Sequence, residues 1–149
     1  MSEIVCRPPV QADKARWAEL FRGYMDFYHV RRDEAVVDKV WGWLFDPEHE
    51  VKALVAELDG RVVGLAHYQP TARTLGGNEV GYLGDLFTDP EVRGRGVGRA
   101  LIDATLEVCR ERGWPMLRWF TQEYNYPGRT LYDTYAPRSD FIVYMVKVE

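Results

Sequence analysis

Apolar residues recur along this chain at two periods, and the changes between them mark out its elements. Trp17, Leu20, Phe21, Tyr24 and Tyr28 fall three and four positions apart, which puts them on one face of a helix, with Asp13 ahead of them as a candidate cap. A second helix is predicted over Glu34 to Phe45. Val36, Val37, Val40, Trp41 and Leu44 form its buried side, and Asp46-Pro47 ends it, because the residue before proline avoids helical backbone. Ile4 to Arg7, closed by Pro8-Pro9, reads as a short first strand.

From residue 51 the pattern turns strand-like. Val51 to Leu58 and Val62 to Gln69 flank Asp59-Gly60, a strong two-residue hairpin signal, and Gly76-Gly77-Asn78 leads into a strand from Val80 to about Phe87. Strands joined this closely pair most easily in antiparallel fashion. Asp89-Pro90 opens a turn, glycines and arginines follow, and a helix runs to about Arg110 with Val97, Ala100, Leu101, Ala104 and Val108 inward. Met116 to Thr121 reads as a strand, Pro127 to Tyr135 as a helix, and Phe141 to Val148 as a last run of alternating bulky residues. The result is an α/β (α+β) pattern, a mainly antiparallel sheet with inserted helices and no repeat or internal linker.

Composition narrows the choice. At 149 residues, 46% of them apolar, the chain suits one domain spanning 1–149, and five tryptophans, nine tyrosines and six phenylalanines exclude a disordered segment. A net charge of −4 speaks against a nucleic-acid binder and suits a cationic partner. Without an apolar signal or spanning stretch, the sequence reads as cytoplasmic. Cys6 and Cys109 form no metal or redox pattern and read as two buried thiols, with a disulfide as the alternative. His29, His49 and His67 lack metal-ligand spacing, His67 reading as a satisfied core residue, and no serine-nucleophile elbow is present.

The chemistry concentrates at Arg93-Gly94-Arg95-Gly96-Val97-Gly98-Arg99. Glycines between a strand and a helix allow close backbone approach, the first helical amides lack internal partners, and arginines add charge, so a pyrophosphate is the natural ligand. A tight turn with solvated arginines is the plain alternative. The dinucleotide spacing fails because position 99 is arginine, and no Gly-Lys-Ser/Thr follows.

This run, within Tyr82 to Ile102, resembles the Arg/Gln-x-x-Gly-x-Gly/Ala element of the GNAT acetyltransferase superfamily, and the order of elements matches over nearly the whole chain. Among its branches the chain looks most like bacterial and fungal proteins similar to the yeast Hpa-type enzymes. The resemblance implies a GNAT fold with six or seven strands, about four helices and a shortened last hairpin. It implies acetyl-CoA as co-substrate, held by Arg93, Gly94, Arg95, Gly96, Val97, Gly98 and Arg99 and by the backbone of Leu86, Phe87 and Thr88, with the Leu86 amide polarising the thioester carbonyl. Asn125-Tyr126-Pro127-Gly128-Arg129-Thr130-Leu131-Tyr132 resembles the superfamily's Asn-x-x-Ala-x-x-Leu-Tyr, with glycine in place of alanine. That likeness places Asn125, Pro127 and Arg129 at the cofactor and makes Tyr132 the acid that protonates the leaving thiolate.

The acceptor is then a primary amine, expected to be a polyamine, small alkylamine or lysine side chain. The resemblance puts the acceptor beside the first helices, with Tyr24, Asp26, Tyr28, Asp33, Glu34 and Asp85 as candidate contacts, and acidic and aromatic groups there suit a cationic amine. Asp85 or Glu79 could draw off its proton, with Asp85 preferred for its place in the motif strand; six residues apart, the two share a face unless a bulge intervenes. No metal, membrane or nucleic acid is called for, and a homodimer could cover an incomplete sheet edge. The competing function is a non-catalytic acetyl-CoA or CoA sensor.

Overall fold

The structure, a computed structural model, describes residues 3–149. Its contacts divide the chain into two compact units, Met1–Trp119 and Phe120–Glu149.

The first unit is built on one sheet. Strands β1 (Ile4–Arg7), β2 (Lys52–Leu58), β3 (Arg61–Arg73), β4 (Asn78–Thr88) and β5 (Leu117–Arg118) lie in chain order, antiparallel except for the parallel pair β4 and β5. Asp59 and Gly60 both take positive φ, 53° and 77°, the pair of left-handed residues that a tight β2–β3 hairpin requires. Helices α1 (Lys14–Phe27) and α2 (Glu34–Phe45) cover one face, and Trp17, Phe21, Val37 and Trp41 bury against Val55 and Leu65 there. Helix α3 (Val97–Arg112) covers the other face, where a Cβ on Gly64 of β3 would come within 2.8 Å of Val97 and 3.0 Å of Leu101.

Several local expectations change. Asp13 does not cap α1. Its carboxylate turns back to Arg7 (2.7 and 3.1 Å) and the Val10 amide (2.8 Å), closing a short 3₁₀ turn at Gln11–Asp13. The buried stripe of α2 is narrower than predicted, since Val36 is exposed and Val40 only half-buried, and its N-terminus is capped by Asp33. The inward face of α3 consists of Val97, Leu101, Ile102, Thr105 and Cys109, while Ala100, Ala104 and Val108 are half-buried. Close approach to β3 at Gly64 turns the Val97 and Leu101 line inward. Cys6 is half-buried and Cys109 buried, both free; burial pushes each thiol up in pKa, so neither is poised as a nucleophile.

The sheet has five strands where six or seven were expected. Strand β5 is two residues long, and the second unit contains one short helix, α4 (Tyr126–Tyr132). Residues 141–148 form no strand among the described residues and stand exposed, with Met145 at 90% and Val148 at 91%. Among the described residues, no helix is long and apolar enough to cross a membrane.

Candidate active site

The site in the first unit depends on one irregularity in β4. Register against β3 runs Thr88 to Asp85 opposite Gly64 to His67 and then resumes at Leu83 opposite Tyr68, so Gly84 is an extra residue. Gly81 points toward α3, where an added Cβ would lie 3.0 Å from Cys109 and from Trp114, and Tyr68, opposite Leu83, packs on Trp114 on the same side. Without the bulge, Asp85 and Phe87 would face that way as well. With it they turn to the α1 side, where Phe87 joins the core and Asp85 meets His67. The bulge also sets the two candidate carboxylates on opposite faces. Glu79 is exposed beside the hairpin turn, opposite Ala72, on the other face of the sheet and about 20 Å along the strand from Asp85.

Asp85 Oδ2 lies 2.8 Å from His67 Nδ1, and the Asp85 side chain retains 31% exposure. Burial pulls its pKa upward, but hydrogen bonding from His67 and the Tyr24 hydroxyl outweighs that, leaving it below the ordinary carboxylate range. Tyr24, on α1, donates to Gly84 O at 3.4 Å. Burial and the Asp85 charge push its hydroxyl well above the usual phenol range, so it remains a donor. Its ring packs edge-on against Tyr28 (5.0 Å between centroids) and Phe87 (6.1 Å).

Downstream of β4, Asp89 ties the turn to the scaffold. Its amide donates to Val63 O (2.8 Å), and its carboxylate accepts from the Glu91 amide (2.9 Å) and pairs with Arg16, which also donates to Val62 O (2.7 Å). Gly94 and Gly96 take φ of 81° and 87°, with open space where a Cβ would be. Only glycine holds both comfortably, and the backbone delivers the first amides of α3 to solvent beside the exposed Arg93, Arg95 and Arg99. This donor set fits a pyrophosphate. Leu86 and Thr88 lie opposite Ala66 and Gly64 on the α3 side of the sheet, whereas Phe87 is core and stacks under Arg93 (5.5 Å). A cleft of about 480 Å³ opens between α1 and the turn, lined in part by Leu20, Phe27, Phe87 and Arg93; Asp85 is not among its lining residues.

The candidate acceptor residues on the helices are largely committed elsewhere. Arg32 pairs bidentately with Asp26 (3.0 and 2.6 Å), Arg22 does the same with Glu34 (2.9 and 2.6 Å), and Asp33 accepts from the α2 amides of Ala35 and Val36. The charges of Asp26 and Glu34 are therefore already met by arginine, and the Asp33 carboxylate is engaged by backbone amides. Sequence reading named Tyr24 and Asp85 but missed His67 as the partner of Asp85; a glycine inside a strand can mark a bulge, but the face Asp85 then takes is set only by the pairing with β3.

Within the second unit, Asn125 caps α4, accepting from the Gly128 amide (3.4 Å) and donating to Thr121 (2.9 Å), with Pro127 in the first turn. A Cβ at Gly128 would lie 2.5 Å from Asn125 Nδ2 and 3.2 Å from the Tyr132 ring, so this packing needs glycine where the family pattern has alanine. Arg129 donates to Glu123 O (2.6 Å) and lies over the Tyr126 ring, and Tyr132 is half-buried at the end of the helix. Among the described residues, no group of three or more His, Cys, Asp or Glu is placed to hold a metal.

A mainly antiparallel sheet whose strand β4 runs through a glycine turn into a pyrophosphate-fitting helix suits an acyl-CoA-dependent transferase. Residues 17–135 match the Acetyltransferase (GNAT) family, and the chain belongs to it. It is accordingly an acetyl-CoA-dependent N-acetyltransferase. The D-amino-acid N-acetyltransferase HPA3 of Saccharomyces cerevisiae is 29% identical over 143 residues, covering 95% of this chain and 89% of that protein. The ribosomal-protein-alanine N-acetyltransferase of Brucella melitensis biovar Abortus superposes with a TM-score of 0.79 at 24% identity, over 99% of both chains. The aminoglycoside N-acetyltransferase AAC(6')-Iy in complex with CoA gives 0.82 at 18% identity, over 99% of this chain and 96% of that one. These structural likenesses extend to the fold.

Proposed function

We propose that the chain transfers the acetyl group of acetyl-CoA directly to a small primary amine in a ternary complex, with Asp85 receiving the amine. The observation that carries this reading is the state of Asp85: an ionised, partly exposed carboxylate beside Tyr24, whose ring packs on Tyr28 and Phe87, on the strand that leads into the glycine turn. A carboxylate held below its ordinary pKa keeps a proton poorly. Asp85 therefore orients the ammonium and passes its proton to water, while the Leu86 backbone and the Arg93–Gly98 turn hold the thioester and pyrophosphate ends of acetyl-CoA. Tyr132 protonates the departing thiolate, and Asn125, Pro127 and Arg129 complete the cofactor side, on the strength of their match to the family pattern.

Because Asp26 and Glu34 already pair with arginines, a second or third ammonium would have to compete with those arginines for them. This supports a singly charged alkylamine ahead of spermidine. The branch resembling the yeast D-amino-acid enzyme and the aminoglycoside enzymes supplies further candidate acceptors. Thiol release from acetyl-CoA should be followed with phenethylamine, butylamine, spermidine, D- and L-alanine, a lysine-bearing peptide and an aminoglycoside. Turnover of the alkylamines, lowered at least tenfold in Asp85→Asn chiefly through KM, and through kcat in Tyr132→Phe, is the expected result, since positioned proton transfer contributes ~100-fold or more. Full activity of Asp85→Asn would overturn the role given to that residue. We further read the active form as a homodimer, supported by the exposed apolar run at 141–148.

A further inference from the structure

Behind Asp85 stands a buried polar chain that the acetyl-transfer reading does not use. The Trp17 indole Nε1 lies 3.0 Å from His67 Nε2, and His67 Nδ1 lies 2.8 Å from Asp85 Oδ2. Trp17 is fully buried and His67 is 3% exposed, clamped by Trp17 (5.7 Å between centroids) and by Phe21 edge-on (5.4 Å).

An indole N–H donates and cannot accept, so Nε2 must present its lone pair to Trp17. The single proton of the neutral ring then sits on Nδ1, aimed at Asp85. Adding a proton at Nε2 would set two N–H groups head to head in a dry core, where an unsatisfied buried donor is costly. The chain therefore runs one way, from Trp17 to His67 to Asp85, and His67 can donate to the carboxylate but cannot relieve it of its charge. The groups that bear on Asp85 are His67 from β3, which donates to it, the Tyr24 hydroxyl from α1 and Tyr82 from its own strand. Trp17, also on α1, acts through His67. An ordinary packed core does not call for a donor chain ending on a carboxylate that remains one-third exposed.

We propose that His67 is a positioning residue for the acceptor amine: a neutral imidazole, locked by Trp17 with its proton on Nδ1, that keeps Asp85 ionised and fixed in direction. The proposal rests on Asp85 receiving the amine. It makes the helix–sheet core part of the acceptor site, because Trp17 sets the tautomer through packing on α1 while the Gly84 bulge brings Asp85 within reach.

Two measurements test it. In the ligand-free protein at neutral pH, long-range proton–nitrogen spectra of the three imidazoles, with His67 assigned by its loss in a variant, should show the His67 proton on Nδ1 and a lone pair on Nε2. Its Nδ1 proton should lie far downfield and move upfield in Asp85→Asn. A proton on Nε2 overturns the proposal without reference to activity. In the second measurement, kcat/KM for phenethylamine is followed against pH. His67→Leu should lower it about tenfold, mainly through KM, and move the acid limb upward by about one pH unit, because Asp85 loses the donor that favours its charged form. His67→Asn, whose amide N–H can stand where Nδ1–H stood, should restore most of both. If Asp85→Asn is impaired but His67→Leu, shown folded by its melting curve, keeps the parent limb, the His67 role falls and the Asp85 reading survives. If Asp85→Asn is fully active, both fall.

Discussion

Asp89 shows how one carboxylate can hold a functional turn. Nearly buried, it joins Arg16, the Glu91 amide and, through its own amide, Val63 O, so the chain entering the glycine turn is fixed to α1 and β3 together. Burial pulls its pKa upward, yet the Glu91 amide and Arg16 more than offset this and hold it below the ordinary range. A folded-state value below the unfolded one stabilises the protein fully above the unfolded pKa, about 4, and that stabilisation disappears as pH falls through the lower folded value. Asp13, lowered chiefly by its bonds to Arg7, acts in the same direction. We expect Asp89→Asn to cost about 1–3 kcal/mol at neutral pH and to flatten, without abolishing, the fall in stability below pH 4, since Asp13 remains. Acetyl-CoA binding should weaken as well. Melting curves of parent and variant across the acid range check this; identical slopes would refute it.

At the scale of elements, glycines divide into those that make room and those that make a turn. Gly64 makes room: a Cβ there meets Val97, Leu101 and, at 3.3 Å, the Phe87 carbonyl, so Gly64→Ala should push α3 from the sheet and cost about 1–3 kcal/mol in denaturant unfolding. Gly96 makes a turn in open space, and Gly96→Ala should cost only the left-handed backbone penalty of about 1–2 kcal/mol while weakening acetyl-CoA binding more than Gly64→Ala does. Equal effects of the two on unfolding and on binding would contradict this division. The same distinction explains what the sequence disclosed. Spacing of Trp17, Leu20 and Phe21, the Asp59-Gly60 pair and the Arg93–Gly98 run are local signals, and α1, α2, the β2–β3 hairpin and the turn follow from them. The bulge at Gly84 exists only relative to the paired strand, so the face of Asp85 and its meeting with His67, eighteen positions away, had no local signature. Likewise the acidic residues of α1 and α2 looked open until their arginine partners, six to twelve positions off, were seen.

For the whole molecule, the run at residues 141–148 poses the remaining physical problem. Phe141, Tyr144, Met145 and Val146 are each at least 85% exposed, and Ile142 and Val148 exceed 70%, a contiguous apolar stretch of the kind that soluble chains seldom leave in water. β-branched and aromatic residues give it strand character, while its backbone donors and acceptors have no ladder among the described residues. A second copy of the chain meets both needs at once. Two such runs related by a two-fold axis can pair antiparallel about their centre, setting Tyr144 of one beside Met145 of the other, and the closed symmetry stops the assembly at two where an unmatched edge would continue into aggregates. The only charged side chain within the run is Lys147, placed away from that centre, so little electrostatic repulsion opposes the pairing. Light scattering during size exclusion at roughly ten micromolar protein should therefore report a dimer. Met145→Asp places two carboxylates at the centre of the pairing and should give a monomer whose first unit melts unchanged; a parent protein that elutes as a monomer, or a variant that stays dimeric, would place the interface elsewhere. Because Asp85, His67 and the glycine turn all belong to the first unit, that monomer should keep the His67 tautomer, which separates the role of assembly from that of the acceptor site.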